Sequence, residues 1–127
     1  MVGRNKFGAK KVKDPVSGRV FDSKREFNRY TELSLMQLAG EIKDLRCQVK
    51  YELLPPVYEV VDMVGKSGKA RRVRRCVERG VNYVADFVYL DKDGNEVVED
   101  AKGHRTAEYI LKRKMLLYIH GVRLHEV

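Results

Sequence analysis

The stretch Asn82-Tyr83-Val84-Ala85-Asp86-Phe87-Val88-Tyr89-Leu90-Asp91-Lys92-Asp93-Gly94-Asn95-Glu96-Val97-Val98-Glu99-Asp100-Ala101-Lys102-Gly103 decides how this chain folds. It reads as two short strands joined by a tight turn. Strand side chains alternate between faces, so Asp100 and Lys102 point one way while Glu99 and Ala101 point the other. Where Asp86 falls depends on the turn. A two-residue Asp93-Gly94 loop would set Lys92 against Asn95 and Asp86 against Ala101, leaving the two aspartates on opposite faces. A three-residue Lys92-Asp93-Gly94 loop with a left-handed Gly94 closes a bulged hairpin and sets Asp86 directly across from Asp100. The second register is the one we expect. Two carboxylates facing each other across a ladder are destabilising unless something positive sits between them. The expected counter-charge is Mg²⁺, replaceable by Mn²⁺, a hard cation that takes one or two carboxylates and keeps several waters.

Around this hairpin lies a chain of 127 residues, the size of one domain, with a formal charge of +8. That charge favours a polyanionic partner. No apolar run is long enough for a signal peptide or a spanning helix, so the chain reads as soluble and cytoplasmic, with no membrane partner. Cys47 and Cys76 lie far apart without a C-x-x-C companion and read as buried or idle thiols. His104, His120 and His125 show no metal-ligand spacing.

Residues 1–13 carry Arg4, Lys6, Lys10, Lys11 and Lys13 with no acid, a solvated tail that can also grip phosphates. The remaining residues, 14–127, read as a single domain. Asp14-Pro15-Val16-Ser17-Gly18 is turn chemistry, and Arg19-Val20-Phe21 a short strand or extended lead-in. Ser23-Lys24-Arg25-Glu26 has capping-box form, and Gly40 stands where the helix would stop. Glu26, Tyr30, Leu33 and Gln37 share a stripe that flanks the buried side, so Glu26 is both a cap residue and a candidate inward-facing acid. Leu45 to Leu54 reads as a strand halted by Pro55-Pro56. Gln48 lies on it, a polar strand residue expected to bond to backbone.

Val57 to Arg79 reads as a hairpin turning at Gly65-Lys66-Ser67-Gly68. Its returning half carries Lys69, Arg71, Arg72, Arg74, Arg75 and Arg79, with arginines on both faces. A strand basic on both faces cannot lie in a core, so it should project or run along an edge. Charge alone would protect an edge, but six cations in eleven residues favour a phosphate-binding ribbon. After the break at Gly103-His104-Arg105-Thr106, the residues Ala107, Ile110, Leu111, Met115, Leu117 and Tyr118 form an apolar stripe of helical period ending at Gly121. Lys112, Arg113 and Lys114 lie largely on the other face. Val122 to Val127 supplies a last strand, expected to run parallel to its neighbour because it arrives through a helix.

Asp86 followed by Asp100-Ala101-Lys102 resembles the core of the PD-(D/E)xK, or restriction-endonuclease-like, nuclease superfamily, with Ala85 where the superfamily's name places proline. The expected α/β fold is then an αβββαβ core, a mixed sheet flanked by two helices with a projecting basic hairpin. Phe7-Gly8-Ala9-Lys10-Lys11, the Phe21-to-Glu26 helix start, Tyr83-Val84-Ala85-Asp86-Phe87 and Val98-Glu99-Asp100-Ala101-Lys102-Gly103 look like a small phage and prophage family of Holliday-junction-resolvase-like endonucleases. That resemblance implies hydrolysis of DNA phosphodiesters, with branched or junction DNA as the partner, a homodimer in the case of a resolvase, and the host cytoplasm as the compartment if phage-encoded. It also implies roles: Asp86, Asp100, the Ala101 carbonyl and Glu26 as metal ligands, Lys102 at the attacking water or transition state, and a glutamine at position 48 near the site. The candidate DNA-binding set is Lys10, Lys11, Lys69, Arg71, Arg72, Arg74, Arg75, Arg105, Lys112 and Lys114. The competing expectation is a non-catalytic nucleic-acid-binding module on the same fold.

Overall fold

The two strands of the central hairpin take the three-residue turn. In the computed structural model, which describes residues 10–102 and 104–127, β6 (Val81–Leu90) pairs antiparallel with β7 (Glu96–Asp100) through Leu90↔Glu96, Tyr89↔Val97, Val88↔Val98 and Phe87↔Glu99. The Asp91 N–H donates to the Asn95 carbonyl at 2.9 Å, the Gly94 N–H donates to the Asp91 carbonyl at 3.0 Å, and Gly94 has φ +81°. A side chain disfavours that backbone conformation and glycine does not. The Asp91 carboxylate holds the turn by accepting from the Asp93 and Asn95 N–H groups, both at 2.9 Å. Continuing the ladder by one pair sets Asp86 across from Asp100.

The other elements are β1 (Val12–Lys13), β2 (Val20–Phe21), α1 (Lys24–Leu38), β3 (Lys43–Leu54), β4 (Val57–Val64), β5 (Ala70–Glu78), α2 (Ala107–His120) and β8 (His125–Glu126). The molecule is α/β, with one mixed four-stranded sheet in the order β3-β6-β7-β8; its last pair is parallel and the others antiparallel. β1 and β2 make a small hairpin whose turn is tied by the Asp14 carboxylate, an acceptor for the Val16 and Ser17 N–H groups and the Ser17 hydroxyl. Lys10 and Lys11 lead into this hairpin and are exposed, whereas Arg4 and Lys6 of the expected arm fall outside the described residues. Cys47 is half-buried, Cys76 is exposed, and both are free.

Both helices begin and end where the caps place them. Ser23 Oγ accepts from the Glu26 N–H at 3.1 Å, and beyond the C-terminus Gly40 takes φ +79°. Thr106 Oγ1 accepts from the Tyr109 N–H at 3.0 Å, and Gly121 takes φ +67°. The face α2 buries differs from the one its periodicity suggested. Tyr109 and Leu116 are buried, whereas Leu111, Leu117 and Tyr118 are exposed. The helix is apolar around most of its circumference, so spacing alone could not choose the inward side.

Two apolar clusters form, one under each helix. Phe21, Leu33, Ile42, Phe87 and Tyr89 pack with α1, while Leu53, Tyr83, Ala85, Val88, Val98, Tyr109 and Leu116 pack with α2. The membership breaks the strand alternation. On β3, Leu45 and Cys47 belong to the α1 cluster but Val49, Tyr51 and Leu53 belong to the α2 cluster; on β6, Tyr83 and Ala85 side with α2 but Phe87 and Tyr89 with α1. A strict period of two would keep each set on one face. Both strands therefore turn over between residues 47 and 49 and between 85 and 87. Gln48, with φ +55°, sits at that point, across from Asp86 in the β3–β6 register.

β4 and β5 form their own two-stranded ribbon, inserted between β3 and β6 and turning at Gly65–Lys69. Among the described residues no helix is long and apolar enough to cross a membrane.

Candidate active site

The turn-over of β3 and β6 gathers polar groups at the middle of the sheet. Asp86 Oδ2 accepts from the Ala101 N–H at 2.9 Å, so a side chain takes over from the ladder just where β7 ends. Asp100 is fully buried; its Oδ2 takes the Tyr83 hydroxyl and lies 3.0 Å from the Lys102 ammonium. Lys102 Nζ also stands 4.6 Å from the centre of the Tyr109 ring. A cation over an aromatic face is held electrostatically, so Lys102 is fixed from two sides. Asp100 and Lys102 share a face, as alternation requires. Glu99 points the other way and is bound by Arg29 at 2.7 and 2.8 Å and by the Tyr89 hydroxyl.

Glu26 enters from α1 and is buried. Its backbone N–H donates to the Ser23 cap while its side chain is turned inward to Gln48. The link from Glu26 to Asp86 is Gln48. Its amide Nε2 donates to Glu26 Oε1 at 3.0 Å and to Asp86 Oδ1 at 3.3 Å. A left-handed non-glycine residue costs about 1–3 kcal/mol and persists where surrounding contacts over-determine it. Here the two acids are those contacts. The strand pattern alone expected Gln48 to bond to backbone, whereas the family resemblance implied a glutamine near the site. Its signal was its place opposite Asp86 once the strands were paired, which a single strand cannot show.

Crowding of acids sets the electrostatics. Burial pushes the Asp86 carboxyl well above its ordinary range, reinforced by the facing Asp100 carboxylate and by the charge of Glu26. Burial likewise raises Glu26 to about 7, with Asp22 and Asp100 adding to it. The Tyr83 hydroxyl is raised by burial and by Asp100, so it stays protonated and donates. Two buried oxygens here, Asp100 Oδ1 and the Tyr109 hydroxyl, have no hydrogen-bond partner among the described residues. Leaving such an acceptor unsatisfied costs on the order of 1–3 kcal/mol. The oxygens of Asp86 and Asp100 are donors of the kind a hard cation takes. Among the described residues no three His, Cys, Asp or Glu side chains are drawn up as a ready cage; the Gln48 amide occupies the gap between Glu26 and Asp86.

The basic residues divide into separate groups. Beside Lys102, a cavity of about 280 Å³ is lined by Asn82, Tyr83, Val84, Thr106, Glu108, Tyr109 and Lys112. Lys112 is paired with Glu108 at 3.1 Å. Arg105 is held by Glu126 at 2.7 Å, and Lys114 lies with Arg113 and Arg123 around another hollow. On the ribbon Arg75 is bound to Glu59, Arg72 is 3.6 Å from Asp62, and Arg74 lies 3.9 Å from the centre of the Tyr58 ring.

The fold and its acidic centre define an α/β protein with two apposed aspartates and a fixed lysine at the heart of a mixed sheet. The chain belongs to the family described as "Protein of unknown function (DUF1064)", whose model matches residues 4–126. No curated protein matches it. No solved structure matches it either.

Proposed function

We propose that the chain is a metal-dependent endonuclease that hydrolyses DNA phosphodiester bonds, built on the restriction-endonuclease-like αβββαβ core. The observation that carries the reading is the pair of apposed carboxylates, Asp100 fully buried with an unsatisfied oxygen and Asp86 half-buried, beside a lysine pinned over an aromatic ring. A cation between Asp86 and Asp100 would supply the missing partner of Asp100 Oδ1 and offset the burial and the like-charge repulsion that raise Asp86. Asp86, Asp100 and the Ala101 carbonyl would hold Mg²⁺ or Mn²⁺, with Glu26 reaching it directly or through water. Such an ion lowers the pKa of bound water and polarises phosphoryl oxygens.

The chain's own groups then have distinct tasks. Lys102 orients the attacking water or neutralises charge building on the phosphoryl oxygens, and it is pre-organised for this by Tyr109 and Asp100. Gln48 steers Asp86 and Glu26 toward one another. The Tyr83 hydroxyl keeps Asp100 in a single orientation. The basic groups of α2 and the ribbon bind the sugar-phosphate chain. Within this reading the substrate is branched DNA such as a four-way junction; symmetric resolution then needs a twofold dimer.

The test is a cleavage panel of junction, fork, flap, duplex and single strands, with Mg²⁺ and with chelator, alongside the solution mass. Wild type should cut only with the metal. Asp100→Asn should bind DNA and not cut, and Lys102→Ala should lose rate far more than affinity. Binding without nicking by the wild type would reject the nuclease reading in favour of a binding module.

A further inference from the structure

The β4–β5 ribbon carries cations on both faces, and its register fixes which. Val60↔Arg74 and Asp62↔Arg72 lie on one face, and Glu59↔Arg75 and Met63↔Arg71 on the other. No acid is paired with Arg71, nor with Lys69 beside the turn, among the described residues. Arg74 is held against the Tyr58 ring, which leaves its guanidinium N–H groups available for phosphate. Few apolar side chains here are covered: Val60 and Val64 are 66% and 71% exposed. The root is tight. A Cβ on Gly80 would fall 2.9 Å from the Leu54 carbonyl oxygen and 3.2 Å from the Pro56 ring, so the two legs meet there in close backbone contact.

A ribbon lying flat on a backbone would use one face and leave the other's arginines in water. Phosphates reach both faces only when the ribbon stands between two backbones. With its side chains a sheet is about 10 Å thick. That thickness suits the major groove of B-form DNA, about 12 Å wide, and not the minor groove, about 6 Å wide. We infer that the ribbon enters the major groove of duplex DNA, with Arg71 and Lys69 turned to one flanking backbone and Arg74 to the other. Eight residues of β4 at about 3.3 Å each reach about 26 Å, the length of about eight base pairs. The ribbon thus selects duplex beside the cut. The inference rests on the proposal that the chain binds DNA, but not on cleavage.

Dimethyl sulfate footprinting of the wild-type protein in chelator, on a long duplex, separates the two grooves because the reagent marks guanine N7 in the major groove and adenine N3 in the minor. Protection of guanine N7 over about eight base pairs is expected. Arg71→Gln combined with Arg74→Gln should erase that protection, weaken duplex binding at least tenfold and lower the salt dependence by about two counterions. Both positions are on the exposed ribbon, and circular dichroism should be unchanged; Lys69→Gln, outside the strands, should repeat the effect at about half the counterion change. Protection confined to adenine N3, an unchanged footprint in the variants, or preferred binding to A-form double-stranded RNA or single strands would overturn the inference. Guanine N7 protection by a protein that never cuts would uphold it while the nuclease reading fell.

Discussion

Replacing Asp86 by Asn should make the metal-free protein more stable while disabling it. Asn keeps an oxygen for the Ala101 N–H, which Asp86 now receives at 2.9 Å, and it keeps the side-chain volume, losing only the long 3.3 Å bond that Oδ1 accepts from Gln48. What disappears is a half-buried ionisable carboxyl facing Asp100. Two unit charges about 4 Å apart repel by about 4 kcal/mol at an effective dielectric of about 20. Retention of a proton by Asp86 already removes part of this, which leaves a gain of about 1–3 kcal/mol at pH 8. For a domain of this size that raises the melting temperature by about 4–12 °C. Differential scanning calorimetry in chelator reads it directly. Adding Mg²⁺ at about ten times its dissociation constant should stabilise the wild type by about 1.4 kcal/mol and the variant hardly at all. A lower melting temperature for the metal-free variant would mean that Asp86 is a structural residue. An unchanged response to Mg²⁺ would mean that any ion binds elsewhere.

Acid pairs also fix the sign of the pH dependence. Because burial raises Asp86 and brings Glu26 to about 7, the folded state holds protons that the unfolded chain releases near ordinary carboxylate pKa values. Metal-free stability should therefore be highest below that range and fall as pH rises through it toward 7 and beyond, and Mg²⁺ should oppose the fall; chemical denaturation at pH 5 and pH 8 tests this, and a rise in metal-free stability over that interval would refute the shifts. On the other face of the sheet, Arg29→Ala should cost about 3–5 kcal/mol because it strands the buried Glu99 charge. A urea midpoint that recovers in Arg29→Ala combined with Glu99→Gln identifies the stranded charge as the cause, and a loss below about 1 kcal/mol for Arg29→Ala would contradict it.

The parts of this fold that were legible in the sequence were those set by local chemistry. Gly94 required a left-handed turn, that turn fixed the register, and the register brought Asp86 to Asp100. Ser23, Gly40 and Gly121 marked helix ends for the same reason: each meets a local backbone demand. What stayed hidden needed two distant segments at once. Arg29 and Glu99 are 70 residues apart, and nothing in either segment announces the other. Tyr83 and Tyr109 carried no assigned role in the sequence, although one donates to Asp100 and the other underlies Lys102. Leu45 to Leu54 read simply as a strand, and strict alternation along it would set Leu45, Cys47, Val49, Tyr51 and Leu53 on one face. Gln48 breaks it by a dihedral angle that no side-chain pattern encodes, and that break is what lets a glutamate from α1 reach the aspartates of β6 and β7.

The central claim is that Asp86 and Asp100 share one divalent ion, and an anomalous difference map from crystals grown with Mn²⁺ tests it most directly. A single strong peak in contact with both carboxylates, lost in Asp100→Asn, is the expected result. A map with no peak at these residues, at Mn²⁺ concentrations that support cleavage, would contradict it.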